Sequence, residues 1–270
     1  MGTGSRKVGQ AAGPGVLLRH GALKAKAKNT QEANRFKWVV KDQKYFRRRA
    51  TPGGGPPFVI EPGERWLDIG ANVGFFALCA LSHGARSVTC IEAEKENVAR
   101  LKTNLRLNGY RGRRAHIVRA VVRGKRGSSS ALLLSRKTTR HSILSVPEAN
   151  HDGRTQKVPT VTTLRRLLSQ WPCDAVKLNI EGAEREVLLS MHSTSWGPSI
   201  KKMVFEYSFD VFPRRQEYDD LLEHLRATDW QVFPEGVPSW FAGRRATWDR
   251  RRTLGNDARQ IWAFRLSRKP

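Results

Sequence analysis

The sequence predicts an α/β fold: a seven-stranded, mainly parallel sheet whose last strand runs antiparallel. Two observations carry this. From Trp66 onward, short apolar runs alternate with helical patterns, which is the rhythm of parallel βαβ units. Near the C-terminus, Trp230-Gln-Val-Phe233 and Ile261-Trp-Ala-Phe-Arg-Leu266 follow one another with no helix between them, so these two strands pair antiparallel.

The elements follow in order. Trp66 to Ile69 reads as strand one, Gly74 to Ser82 as a helix and Ser87 to Glu92 as strand two. Glu94 to Asn108 is a helix with Val98, Leu101 and Leu105 at helical spacing, ended by Asn108-Gly109. His116 to Val122 reads as strand three. Ala131 to Leu134 and Ile143 to Val146 read as a small hairpin outside the main sheet. Leu164 to Ser169 (helix), Ala175 to Ile180 (strand four), Glu184 to Met191 (helix), Lys202 to Tyr207 (strand five) and Glu217 to Ala227 (helix) complete the alternation.

Length and charge set the outer bounds. With 270 residues the chain suits one α/β domain, expected over residues 58–270. The formal net charge of +25 marks an anionic neighbour such as nucleic acid, a phosphorylated glycan or a membrane surface. Residues 1–50 hold 13 Lys and Arg against Glu32 and Asp42, and the first thirty lack aromatic groups and periodic apolar spacing. Residues 1–57 are therefore expected to be a basic, flexible arm and linker. Phe36 to Val40 reads as a short strand or lid, and the Pro/Gly run Thr51 to Pro57 as a joint. A second basic patch runs from Arg244 to Arg252.

No apolar stretch approaches the roughly 18 residues of a membrane span, and no signal-peptide core is visible. The expected setting is intracellular, soluble and most simply cytoplasmic; the acid-free, Arg-containing start also fits an organelle-targeting segment. Met1-Gly-Thr-Gly-Ser-Arg6 misses the myristoylation pattern at its sixth position. Cys79, Cys90 and Cys173 have no C-x-x-C spacing and read as buried small hydrophobes, in neither a disulfide frame nor a metal site.

The chemistry concentrates in Arg65-Trp-Leu-Asp-Ile-Gly-Ala-Asn-Val-Gly-Phe-Phe76 and Ser87-Val-Thr-Cys-Ile-Glu-Ala93: strand, glycine turn, helix, strand, acidic tip. Gly70 and Gly74 let the backbone turn and approach a ligand. Glu92 lies 24 positions after Asp68, near the roughly 20-residue offset at which a carboxylate reaches a ribose hydroxyl pair. A dinucleotide fold prefers G-x-G-x-x-G around a pyrophosphate. Here Asp68 precedes Gly70-Ala71-Asn72-Val-Gly74, which repels a pyrophosphate and suits a cation. S-Adenosylmethionine, with its sulfonium and ammonium groups, is the expected cofactor, held by Asp68, Gly70, Ala71, Asn72, Gly74, Glu92 and Ala93.

A second constellation, Lys177-Leu-Asn-Ile-Glu-Gly-Ala-Glu184, stands at the end of strand four. Asn179 and Glu181, two apart, share one face of an extended strand. Glu184 fits a helix N-terminus by its dipole.

Together these motifs resemble the FkbM family of methyltransferases. Asp68 to Gly74 matches its D-I-G-A-N-x-G turn, Asn104-Leu-Arg-Leu-Asn108 its N-L-x-L-N helix end, and Lys177 to Glu184 its K-x-D-x-E-G-x-E segment. Phe205-Glu-Tyr-Ser-Phe209 and Thr139-Arg-His-Ser142 also look like segments of that group. The likeness runs from about Phe58 to Phe233 and implies a Rossmann-like class I methyltransferase sheet and O-methylation of a small-molecule or carbohydrate hydroxyl. Where the family has Asp, this chain has Asn179, which hydrogen-bonds but accepts no proton at neutral pH. Glu181 is the first candidate base, with His141 and Glu206 behind it and Asn179 as a binding group.

Two other readings remain open on sequence. The basic arm and patch fit an RNA methyltransferase, although the chain lacks the D/N-P-P-Y/F tip of adenine-amino enzymes and the Lys-Asp-Lys-Glu set of cap-ribose enzymes. Asn179 also fits a non-catalytic binding protein that kept the cofactor pocket.

Overall fold

The computed structural model describes residues 16–125, 130–135, 151–158, 160–209, 211–212, 214–237 and 258–266. Its sheet strands, in chain order, are β1 (Arg65–Ile69), β2 (Ser87–Glu92), β3 (Ala115–Arg119), β4 (Ala175–Leu178), β5 (Lys202–Ser208), β6 (Trp230–Pro234) and β7 (Ala258–Arg265). They lie side by side in the order β6-β7-β5-β4-β1-β2-β3. β1 to β5 pair in parallel, and β7 runs antiparallel to both β5 and β6. The direction of winding reverses between β1 and β4, which opens a crevice at their carboxyl ends.

The helices are α1 (Thr30–Phe36), α2 (Phe75–Ser82), α3 (Lys95–Leu107), α4 (Leu164–Gln170), α5 (Glu184–Leu189) and α6 (Arg215–Ala227). Because side chains alternate along a strand, each sheet face has its own core. Leu67, Ile69, Val176, Phe205 and Ile261 pack against α4, α5 and α6 on one face. Trp66, Val88, Ala175, Val204 and Trp262 pack against α2, α3 and the N-terminal segment on the other. α2 is buried from Phe75 to Leu81, as an apolar helix must be. α3 buries Val98, Leu101 and Leu105 and is capped by the Glu94 carboxylate, which accepts from the N–H groups of Glu96 and Asn97.

Three elements differ from expectation. The run His116 to Val122 breaks at Ala120: Ala115–Arg119 stays in the sheet, while Val121–Val122 pairs in parallel with Val161–Thr162. The Val121 N–H turns to the carbonyl of Thr160, so the ladder changes partner there. Ser130–Ser135 does form a hairpin, but with His151–Val158; Ile143 to Val146, its expected partner, lies outside the described residues, as does the patch Arg244 to Arg252.

The third difference is the N-terminal segment. From Val16 onward it is built into the fold and is not the flexible arm and linker that composition implied. Val16–His20 and Leu23–Ala27 form an antiparallel hairpin, and Leu23, Ala25 and Ala27 are buried along one face of its second strand. The asparagines of the N-L-R-L-N helix end fasten it. Asn104 Oδ1 accepts from Lys26 N at 2.8 Å, and Asn108 accepts from Lys24 N at 2.8 Å while donating to Lys24 O. Buried Glu32 on α1 is ion-paired with Arg100 on α3. Phe36 to Val40 closes α1 and continues into a π-helical turn, Lys37–Lys41, in place of a strand. The Pro/Gly run makes a tight turn in which Thr51 bridges Gly55.

Candidate functional site

The turn after β1 is held to β2 by its backbone, with Gly70 N and Ala71 N both donating to Ile91 O at 2.9 and 3.0 Å. Gly70 sits at φ +76°, and a Cβ there would lie 1.6 Å from the carbonyl oxygen of Asn179. No other residue type lets the β1 and β4 ends come this close. Asn72 N donates to Glu92 Oε2 at 2.8 Å, and Glu94 N donates to Glu92 Oε1 at 2.9 Å. Burial raises the Glu92 carboxyl above its ordinary value, against the pull of these N–H groups.

Gly70, Asn72, Glu92 and Ala93 line an open cleft of about 600 Å³ together with Asn179 and Glu181 from the adjacent β4 end. Val121 and Leu132 line its apolar end and pack against Ala93. Ala71 lines a smaller adjoining chamber with Tyr45, Phe75, Phe76 and Lys177; Arg35, Gly70 and Asn72 border both spaces.

Two of the expected cofactor residues stand elsewhere. Asp68 is fully buried and off the cleft wall. The β1–β4 register sets it opposite Lys177, whose Nζ lies 3.0 Å from Asp68 Oδ1 and donates to Gly70 O at 2.8 Å. Burial raises the Asp68 carboxyl, and Lys177 opposes the shift. Asp68 thus holds the turn from beneath and does not face a cationic ligand. Gly74, at φ +91°, opens α2 over Leu101 and likewise supports the turn.

At the β4 end, Asn179 Nδ2 donates to Glu206 Oε2 at 2.7 Å and to the Tyr45 hydroxyl at 3.2 Å. Lys44 forms an ion pair with the other oxygen of Glu206. Burial alone would raise the Glu206 carboxyl, but Lys44, Arg35 and Lys177 hold it below the ordinary range. The chain then turns sharply, with Glu181 at φ +55°. Glu181 is partly exposed and lies 3.8 Å from Arg35. Glu184 serves the turn itself, accepting from Ile180 N at 2.6 Å and Gly182 N at 2.8 Å. Burial, aided by Glu181, pushes its carboxyl up to about 8. His141 lies outside the described residues.

The structure therefore brings together Gly70, Asn72, Glu92, Ala93, Asn179 and Glu181. Sequence reasoning missed Arg35, Lys44 and Tyr45, which reach the site from the segment read as an arm. The apolar run Phe36 to Val40 was their one signal.

The sequence profile of the FkbM methyltransferase domain matches residues 68–231, more than half of the chain. The chain belongs to the FkbM methyltransferase family. Solved structures with a similar fold include an FkbM methyltransferase from Methylobacillus flagellatus, 14% identical with a TM-score of 0.46, covering 75% of this chain and 44% of that one. A ribosomal-protein methylase from Lactobacillus delbrueckii subsp. bulgaricus is 13% identical, with a TM-score of 0.40 over 88% of this chain and 81% of that one. Precorrin 8w decarboxylase from Methanobacterium thermoautotrophicum is 14% identical, with a TM-score of 0.40 over 83% and 98%. No curated protein matches the sequence significantly.

As an FkbM methyltransferase the chain is an S-adenosylmethionine-dependent enzyme with a Rossmann-like class I fold. The cleft suits that cofactor. Glu92 Oε2 holds one backbone N–H and can accept a second hydrogen bond, as from a ribose hydroxyl, while Oε1 receives both Glu94 N and, at 3.5 Å, Asn97 Nδ2. Val121 and Leu132 give a flat base an apolar wall, and Glu181 places negative charge near the turn. Among the described residues, no group of three or more His, Cys, Asp or Glu could hold a metal ion, and no helix is long and apolar enough to cross a membrane.

Proposed function

We propose that this FkbM domain methylates a hydroxyl of a small molecule or carbohydrate. The observation that carries the reading is the oxygen-rich β4 end, where Asn179 and Glu181 line the cleft beside the Gly70 turn. When bound, S-adenosylmethionine supplies an electrophilic methyl group. The protein's part is to place the acceptor oxygen in line with it and to receive the hydroxyl proton. Glu181, partly exposed on the cleft wall, is assigned the proton; His141 is the reserve candidate from sequence. Asn179 orients Glu206 and Tyr45 with its two N–H groups and offers its amide oxygen to the acceptor hydroxyl, and Lys44 keeps Glu206 charged.

Glu181→Gln keeps the shape and removes the base. Turnover should fall about 10²- to 10⁴-fold on the responsive acceptor, while calorimetric affinity for S-adenosylhomocysteine persists. A variant with wild-type turnover on every hydroxyl acceptor sinks the assignment.

One observation favours a second acceptor class, RNA. Residues 1–31 and 97–147 contain no Asp or Glu but 19 Lys and Arg. Asn104 and Asn108 join the two stretches side by side. Register sets Arg19, Lys24 and Lys26 on one hairpin face. A methylated RNA product, with binding that weakens steeply as salt rises, would place the acceptor there.

A further inference from the structure

Arg35 is a cleft residue that none of the motifs explains. It stands in the last turn of α1 and borders both the cleft and the adjoining chamber. Among the described residues lining these two spaces, the cations are Arg35 and Lys177. Lys177 is buried and committed to Asp68 and the carbonyl of Gly70. Arg35 keeps a quarter of its side chain exposed, and its ion pair with Glu181 is long, at 3.8 Å.

The contacts give the cleft a direction. Val121 and Leu132 pack against Ala93, Glu92 beside it takes the Asn72 N–H, and Arg35 borders with Gly70 and Asn72 the adjoining chamber, which Val121, Leu132 and Glu92 do not line. A donor with its ribose at Glu92 and its base at the apolar end carries its amino-acid tail past the turn toward Arg35. That tail ends in a carboxylate, which a planar guanidinium matches with two parallel N–H groups.

We propose that Arg35 receives the carboxylate of the methyl donor, giving up its long ion pair with Glu181 to do so. The proposal rests on the reading of the cleft as an S-adenosylmethionine site. Its consequence is an order of events: the donor removes the Arg35 contact from Glu181 before the acceptor is engaged. The alternative is that Arg35 merely ties α1 to the β4 end.

Calorimetry on the full chain with three ligands separates these. S-Adenosylmethionine has the carboxylate, decarboxylated S-adenosylmethionine lacks only that group, and 5′-methylthioadenosine lacks the whole tail. The wild type should bind the first at least about ten-fold tighter than the second, as expected for a hydrogen-bonded charge pair. Arg35→Gln should abolish that difference and leave the other two affinities within about two-fold, while Arg35→Lys should restore part of it. Equal losses for all three ligands in Arg35→Gln would make Arg35 a structural tie and overturn the proposal. So would a wild type that binds the carboxylated and decarboxylated donors alike. A wild type that binds none of the three, 5′-methylthioadenosine included, would overturn the cofactor reading itself.

Discussion

Replacing Gly70 by alanine puts a methyl carbon 1.6 Å from the backbone oxygen of Asn179 and 2.7 Å from its carbonyl carbon. Both contacts are backbone, so no side chain can rotate away. Relieving the overlap requires the β1 and β4 ends to part by about 2 Å, at the junction where the cleft wall changes from Gly70 to Asn179. The left-handed conformation of residue 70 adds about 1–2 kcal/mol for any residue with a Cβ. With about 1–3 kcal/mol for overpacking, the total is about 2–5 kcal/mol. In a chain of this size that lowers the melting midpoint by on the order of 10 °C. Binding should suffer more, since a 1 Å misplacement in a site can cost on the order of 10²-fold. Gly74→Ala is the control: its Cβ meets Leu101 Cδ1 at 2.4 Å, the end of a flexible side chain, so it should cost less in both measurements. Thermal denaturation and titration with S-adenosylhomocysteine read the two effects. If Gly70→Ala melts and binds as the wild type does, the close approach of the two strand ends is not what shapes the cleft.

Asp68→Asn should destabilise the fold by about 3–5 kcal/mol by stranding buried Lys177. Asp68→Asn/Lys177→Met should recover part of that loss in urea, and strict additivity would deny the pairing. The fold raises Glu184 from an ordinary 4.5 to about 8, so it favours the protonated form. The stability this contributes is complete below about pH 4.5 and is lost as the pH climbs toward 8; Glu184→Gln should flatten the denaturation midpoint across that window. Asn179→Asp would set a second carboxyl 2.7 Å from Glu206, where one of the two must hold a proton. Its penalty should therefore be small near pH 4, grow toward pH 8 and appear as a widening gap from the wild-type midpoint. Asn104→Ala strands the N–H of Lys26 and the carbonyl of Val73, at about 1–3 kcal/mol each. Hydrogen exchange at Lys24 and Lys26 should accelerate, and unchanged exchange would mean the hairpin is fastened otherwise.

The parts of the fold legible in the sequence are those written in local pattern. The apolar periods of β1, β2, β4, β5 and α3 name their own elements, and the absence of a helix between β6 and β7 dictates the antiparallel end. What escaped was written at long range. Nothing near Lys24 or Lys26 announces that Asn104 and Asn108, some eighty residues away, take their backbone groups. Composition then reads a docked hairpin as a solvated tail, because its buried face is only Leu23, Ala25 and Ala27. The break at Ala120 is similar, since the sequence continues apolar to Val122 while the hydrogen bonds pass to Thr160. The site divides in the same way. Gly70, Asn72 and Glu92 follow from a turn motif with a ribose carboxylate. Asp68, in the same motif, does not, because its partner Lys177 comes from another strand and removes it from the ligand's reach.

That pairing bears on the residue that departs from the family pattern. Lys177 is held by Asp68, and Asn179, two residues on, points to the same buried side of the β4 end as Tyr45 and Glu206. A carboxylate at 179 would face Glu206 directly and would force the two to share a proton. The amide instead donates to Glu206, and Lys44 pairs with the other oxygen, so the negative charge of this corner resides on Glu206 and stays there well into acid. A carboxylate held that far below neutrality orients and attracts better than it takes up protons. The base proposed above, Glu181, stands apart from this corner, in the turn that follows β4, with Arg35 at 3.8 Å. With an amide at 179 the fixed charge of this corner lies on strand β5, and on the reading proposed above base chemistry falls to the turn that follows β4.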